Sequence, residues 1–228
     1  MKKTDISVYE ILRDRIINLD YEPGQELNVN ELINELGVSR SPVRDALLHL
    51  SLDKLIDIFP QKGTRVSLLD VKIINQERFM RKNLELGVLK MFMNSLNESK
   101  RRIAGTKLKA ILLQQNASLM ANDKKEFLKY DDELHHFFYE ETDNQWLWDV
   151  VSSHTGNDHR IRMLSFSAEK IRDNVENEHK ELVDAIINGN TEKALKINEQ
   201  HLVELSKVIE PLSKEFSGFF SSGGFNNL

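Results

Sequence analysis

The stretch VSRSPVRDALLHL, Val38 to Leu50, opens with small polar residues and a proline and continues as an apolar stripe at Val43, Ala46, Leu47 and Leu50. That spacing predicts a helix. Ser41 before Pro42 reads as a cap followed by proline at the first helical position, where its missing N–H costs nothing. Arg40 and Arg44 then stand at the helix start, where the dipole opposes cations. Their placement suits something outside the helix, and a phosphate-bearing partner fits, because N–H donors, dipole and guanidinium charge would converge on one anion.

Working outward, Asn28 can cap a preceding short helix, with Glu31 three residues on as in a capping box, and Gly37 stops it after Leu32, Ile33 and Leu36. The tight turn Leu36 to Ser39 joins the two helices in a helix-turn-helix pattern whose second helix would present its N-terminal end to a DNA major groove. Upstream, Val8, Ile11, Leu12, Ile16 and Leu19 form another helical stripe that ends before Pro23-Gly24. Downstream, LIDIFP and TRVSLL flank Gln61-Lys62-Gly63 and predict a small hairpin, or wing. Residues 1–69 therefore read as a winged helix-turn-helix domain.

The net charge of −5 gives no support for nucleic acid, and residues 1–69 carry nine Lys/Arg against eleven Asp/Glu. Arg40, Arg44, Lys62 and Arg65 nevertheless cluster around the two candidate contact elements, as a local patch. An apolar fraction of 40% with 29% charged residues is ordinary for a chain that folds in water. Cysteine is absent, so disulfides and cysteine metal sites are excluded. With no signal-peptide pattern and no membrane-length apolar run, a cytoplasmic location and no membrane partner are expected.

From Leu69 no proline appears until Pro211, and the pattern is helical nearly throughout. Residues 70–214 read as an all-α antiparallel bundle with helices near 70–97, 106–121, 123–142, 145–165, 169–188 and 191–214. Residues 215–228, rich in glycine and serine, read as a flexible tail whose phenylalanines could dock on a neighbouring chain. The fold class is mainly α, a winged helix-turn-helix followed by a helical bundle.

Within the bundle, Asp131 and His135 stand four apart and share a helix face. His179 and His201 lie on two helices joined through Asn188-Gly189-Asn190, and an antiparallel pair would bring both imidazoles to one depth. Three imidazoles and a carboxylate suit a divalent transition metal, zinc foremost, with nickel, manganese or iron open, and leave positions for water or a ligand oxygen. Spacing alone equally allows scattered surface or core histidines. His49, His136, His154 and His159 fall outside the quartet and read as structural or solvent-facing. Arg81, near Leu84 and Glu85, reads either as half of a surface ion pair or as a clamp for a ligand carboxylate.

Taken together, residues 6–208 resemble the GntR family of bacterial transcription regulators, in the FadR-like subfamily with a C-terminal FCD domain. Pro23-Gly24, Glu31-Leu32, LGVSRSPVRDAL and Lys62-Gly63-Thr64 with Val66 fall where the family's winged helix has its signature. Arg81 with Leu84-Glu85, Asp131 with Leu134-His135 and Asn144, His179 and His201 follow the FCD order and spacing. The resemblance implies that Ser39, Arg40, Ser41 and Arg44, with Lys62 and Gly63 at the wing, contact operator DNA. It implies Asp131, His135, His179 and His201 as metal ligands and Arg81 as a ligand-binding residue. The expectation is a non-enzymatic, homodimeric regulator, a repressor by the habit of most relatives, that binds double-stranded operator DNA under control of a small organic-acid effector. Two rivals remain: a metal-dependent enzyme acting on a carboxylic acid, and a regulator with a metal-free apolar ligand. The chain departs from the pattern at Asn28 and Asn30, where charge is common, and at Asp132 and Leu134. Asp131 is preferred to Asp132 as ligand because it lies four before His135.

Overall fold

The computed structural model describes residues 7–166 and 169–221, with the side chains of 169–173 and 204–206 left out of the description. Helix α1 (Val8–Ile17) starts in a capping box in which Ser7 and Glu10 bond each other's backbone N–H. Helix α2 (Val29–Leu36) is capped by the Asn28 side-chain Oδ1, which accepts from the Asn30 N–H, and ends at Gly37 in the left-handed region, φ 65°. The Glu31 half of the expected box is not formed with the backbone: its carboxylate accepts from the Asn28 amide instead.

Helix α3 (Arg40–Leu52) begins two residues earlier than the serine-proline pair suggests. Ser39 is its cap, and Pro42 is the third helical residue. Proline is still harmless there, because the N–H groups of a first turn have no partner inside the helix. The wing is β2 (Ile56–Phe59) paired antiparallel with β3 (Gly63–Val66), and a strand absent from the sequence reading, β1 (Glu26–Leu27), adds to the other edge of β3. Leu12, Ile16, Leu47, Leu50, Leu55 and Ile56 close the core of this unit at 0–4% exposure. Burying six such side chains is worth on the order of 10 kcal/mol before chain entropy is subtracted.

The remaining helices are α4 (Val71–Ser95), α5 (Glu98–Met120), α6 (Lys124–Glu140), α7 (Gln145–His154), α8 (Gly156–Ser165), α9 (Glu169–Ile187), α10 (Thr191–Glu204) and α11 (Ile209–Glu215). Three differences from the expected boundaries have physical causes. Helix α5 runs through Gly105, because α9 packs so close that a Cβ there would sit 2.5 Å from Ile187 Cγ1. The expected helix 145–165 divides at Thr155-Gly156, where a Cβ would meet Leu55 of the winged unit at 2.9 Å. The expected helix 191–214 passes through a 3-10 turn at Leu205–Val208 before α11.

The expected flexible tail is also corrected up to Ser221. Leu69 donates to the Phe219 carbonyl at 2.8 Å, Ser221 donates back to Leu69 at 3.0 Å, and Phe220 is buried against Leu69, Ile74, Ile161 and Leu212. Phe219 and Phe220 dock on their own chain because Leu69 and Ile74 would otherwise face water. The part of that expectation covering 222–228 lies outside the described residues.

A candidate metal centre and a candidate DNA-reading face

Asp131 and His135 project from one face of α6, His179 comes from α9 and His201 from α10. All four are buried, and one ligand atom from each lies within 4.8 Å of the others. The Nε2 atoms of His135 and His179 stand 3.3 and 3.4 Å from that of His201, and Asp131 oxygens lie 3.9 Å from His135 Nε2 and 3.6 Å from His179 Nε2. Ligand atoms placed tetrahedrally about 2.1 Å from one ion stand roughly 3.4 Å apart, so the spacing matches a single zinc-sized cation.

The outer ring nitrogens fix the chemistry of the inner ones. His201 Nδ1 faces the Glu178 carboxylate at 2.9 Å, His179 Nδ1 faces Gln115 Oε1 at 2.8 Å, and His135 Nδ1 faces Glu85 Oε2 at 3.3 Å. The hydrogen-bonded oxygens at Nδ1 of His179 and His201 place the proton there, which leaves a lone pair on their Nε2 atoms, and the Glu85 carboxylate near His135 Nδ1 favours the same tautomer. Three imidazole Nε2 atoms and an Asp131 oxygen then converge on one another in a buried space. Such a set repels itself unless a cation sits among its members, and this is the observation that fits the residues to a metal.

The titration behaviour agrees with that charge distribution. Burial pushes the Asp131 carboxyl up, but Arg162 and the three imidazoles outweigh it and hold it well below the usual carboxylate range. Burial likewise opposes ionisation of Glu85, yet Arg81 and His135 bring it to about 2. His179 is pushed well below its ordinary value, first by burial and next by the neighbouring His201. Asp131 and His179 are thus in the deprotonated state a metal requires.

Arg81 is not a surface ion pair. It is buried, with Nε donating to Glu85 at 3.0 Å, Nη1 3.5 Å from Asp158 and Nη2 4.0 Å from Asp131. Sequence reasoning missed Arg162 of α8, which donates to Asp131 at 2.5 Å and to Asp132 at 2.8 Å. It also missed the orienting residues Gln115 and Glu178. His154 is exposed, His136 is half-buried and stacks on Trp148 at 4.7 Å, and His159 is half-buried on α8.

At the other end of the molecule, Ser39, Arg40, Ser41 and Arg44 lie exposed at the start of α3, and Lys62 and Gly63 lie exposed at the wing. Arg40 donates to Asn30 at 2.7 Å, which holds it against α2. Arg40, Ser41 and Arg44 line a groove shared with Ile58 and Thr64 of the wing hairpin, so helix start and wing open onto one face. Gln61 and Gly63, both at positive φ, make the turn that presents Lys62. No helix among the described residues is long and apolar enough to cross a membrane.

Comparison with known proteins agrees with both halves. Residues 5–66 match the model of bacterial regulatory proteins of the gntR family, and residues 79–204 match the FCD domain. The chain is 27% identical to the HTH-type transcriptional repressor RspR of Escherichia coli (strain K12), covering 94% of this chain and 92% of that one. An HTH-type regulator from an unstable DNA locus of Streptomyces ambofaciens is 27% identical, with 94% and 89% covered. In fold it superposes on E. coli McbR/YncC with a TM-score of 0.73 at 17% identity, covering 92% and 96% of the two chains. A GntR regulator from Rhodococcus sp. RHA1 gives 0.74 at 21% identity, with 90% and 96% covered. The chain belongs to the GntR family of bacterial transcription regulators, in the FadR-like branch whose C-terminal half is an FCD domain.

Proposed function

We propose that this regulator is a homodimeric repressor whose grip on a short pseudo-palindromic operator is set by a small organic acid bound beside a divalent metal. The division is residues 1–69 for DNA and 70–214 for metal, effector and dimerisation. Asp131, His135, His179 and His201 hold the ion, with zinc favoured by the near-tetrahedral spacing of their donor atoms. The ion would supply a Lewis-acidic position for a carboxylate oxygen. The convergence of three Nε2 atoms on a buried aspartate is the observation that carries this reading.

The chain's own residues do the rest. Arg81 and Arg162 keep Asp131 ionised and place guanidinium charge next to any incoming acid. Ser39, Arg40, Ser41 and Arg44 enter a major groove, and Lys62 with the Gly63 backbone touches the adjoining backbone or groove. Arginine at this helix start offsets an unfavourable dipole because its partner is DNA rather than the helix. Repression is favoured by the printed function of the E. coli relative. Two half-sites follow from two copies related by a two-fold axis.

The test is operator binding followed by fluorescence anisotropy at fixed salt, with candidate fragments drawn from the DNA upstream of the chain's own gene. Arg44→Ala should weaken specific binding by about 1–3 kcal/mol, roughly ten- to a hundredfold. Equal affinity in wild type and variant would remove the assignment of α3 as the reading helix.

A further inference from the structure

A cleft of about 440 Å³ lies between α1 of the winged unit and helices α6, α7 and α8 of the bundle. Five of its lining side chains are Lys or Arg and three are carboxylates. Lys125 is tied to Asp20, Lys129 to Glu126 and Arg162 to Asp131 and Asp132, which leaves Arg13 and Arg81 as the lining cations with unmade donors. Arg81, 4% exposed, has a buried Nη2 with no hydrogen-bond partner, and Arg13 has the same deficit at Nε while its Nη2 bonds the Ser152 carbonyl. A buried donor left unmade is costly, on the order of 1–3 kcal/mol. Ile17, Trp148 and Val151 supply apolar wall between the charged groups.

Arg81 and Arg162 belong to two places at once. Both contact Asp131 of the quartet, and both line the cleft. The cleft therefore adjoins the metal centre, and its far side is made by the DNA-reading unit. We infer that it seats the second anionic group of the effector, which is a short-chain dicarboxylate bridging the quartet and Arg13 of α1. The inference rests on the proposed metal-and-acid reading for where the first carboxylate goes. Arg13, whose Nε has no hydrogen-bond partner, asks for a second negative charge beyond the one at the quartet, and the apolar wall suits a few methylenes between them. Because Arg13 rides on the winged unit, such a ligand has contacts in one arrangement of the two units that it lacks in another, and that difference is what a ligand needs to shift operator affinity.

The test is isothermal titration calorimetry of full-length, zinc-loaded protein with succinate, glutarate and adipate, each compared with pentanoate. The best dicarboxylate should bind about tenfold or more tighter than pentanoate, the worth of one added charge-assisted contact. Arg13→Gln should bring that ratio toward one, and Arg13→Lys should restore part of it, which separates a lost contact from a lost fold. The inference is overturned if no dicarboxylate binds, if the wild-type ratio is near one, or if Arg13→Gln leaves the ratio unchanged. Pentanoate affinity that survives removal of zinc would instead count against the metal-and-acid reading, while the Arg13→Gln ratio still decides the role of the cleft.

Discussion

Glu178 sits beside His179 in the chain yet orients His201, reaching its Nδ1 at 2.9 Å across from α9 to α10. Adjacent residues on a helix point about 100° apart, so adjacency gives no hint of this pairing. The quartet was legible only with the FCD pattern: spacing put Asp131 and His135 on one face and the turn at Gly189 let His179 and His201 meet, but scattered histidines fitted the spacing equally. The outer partners were not legible, since Gln115, Glu178 and Arg162 meet the quartet only through tertiary packing. Orienting partners of metal-bound imidazoles typically matter ten- to a hundredfold for affinity. Glu178→Ala should therefore weaken zinc binding by about that factor in competition with a chromophoric chelator; an unchanged affinity would mean that His201 is held by packing alone.

At the scale of elements, the periodicity found the helices and misplaced some of their ends. Glycine costs roughly 1 kcal/mol in a helix interior, which is why Gly105 reads as a break. The close approach of α9 outweighs that cost and needs the missing side chain. Gly105→Ala should thus destabilise the protein by about 1–3 kcal/mol despite alanine's better helix propensity, seen as a lower midpoint in urea. A rise in midpoint would show that Ile187 yields easily. Helix α8 was hidden for a different reason. Nine of its ten residues are buried, and they include Asn157, Asp158, Arg160 and Arg162, so no apolar stripe marks its face. Its charged groups pair with partners distant in sequence: Asp158 with Arg78 at 2.5 Å and Arg160 with the Ser67 carbonyl at 2.6 Å.

Across the whole molecule, α8 spans the distance from metal centre to wing. Arg162 holds Asp131, Asp158 pairs with Arg78 and Arg81, and Arg160 anchors the backbone at Ser67, just after β3. Burial lowers Arg160 to about 10, against the pull of Glu77 and Asp57, and the same desolvation raises Glu77 to about 7. Arg160→Met should cost about 1–3 kcal/mol through the unpaired Ser67 carbonyl, and should shrink the difference in operator affinity with and without effector. A variant with the full difference would exclude α8 as the connection. All of this depends on whether the four converging donors hold an ion. Elemental analysis of the purified protein, alongside Asp131→Ala and His201→Ala and before and after chelation, decides it. The account predicts about one divalent transition metal per chain in the wild type, removed by chelator and lost in both variants. Wild-type protein that stays metal-free after incubation with zinc, nickel, manganese and iron would contradict it.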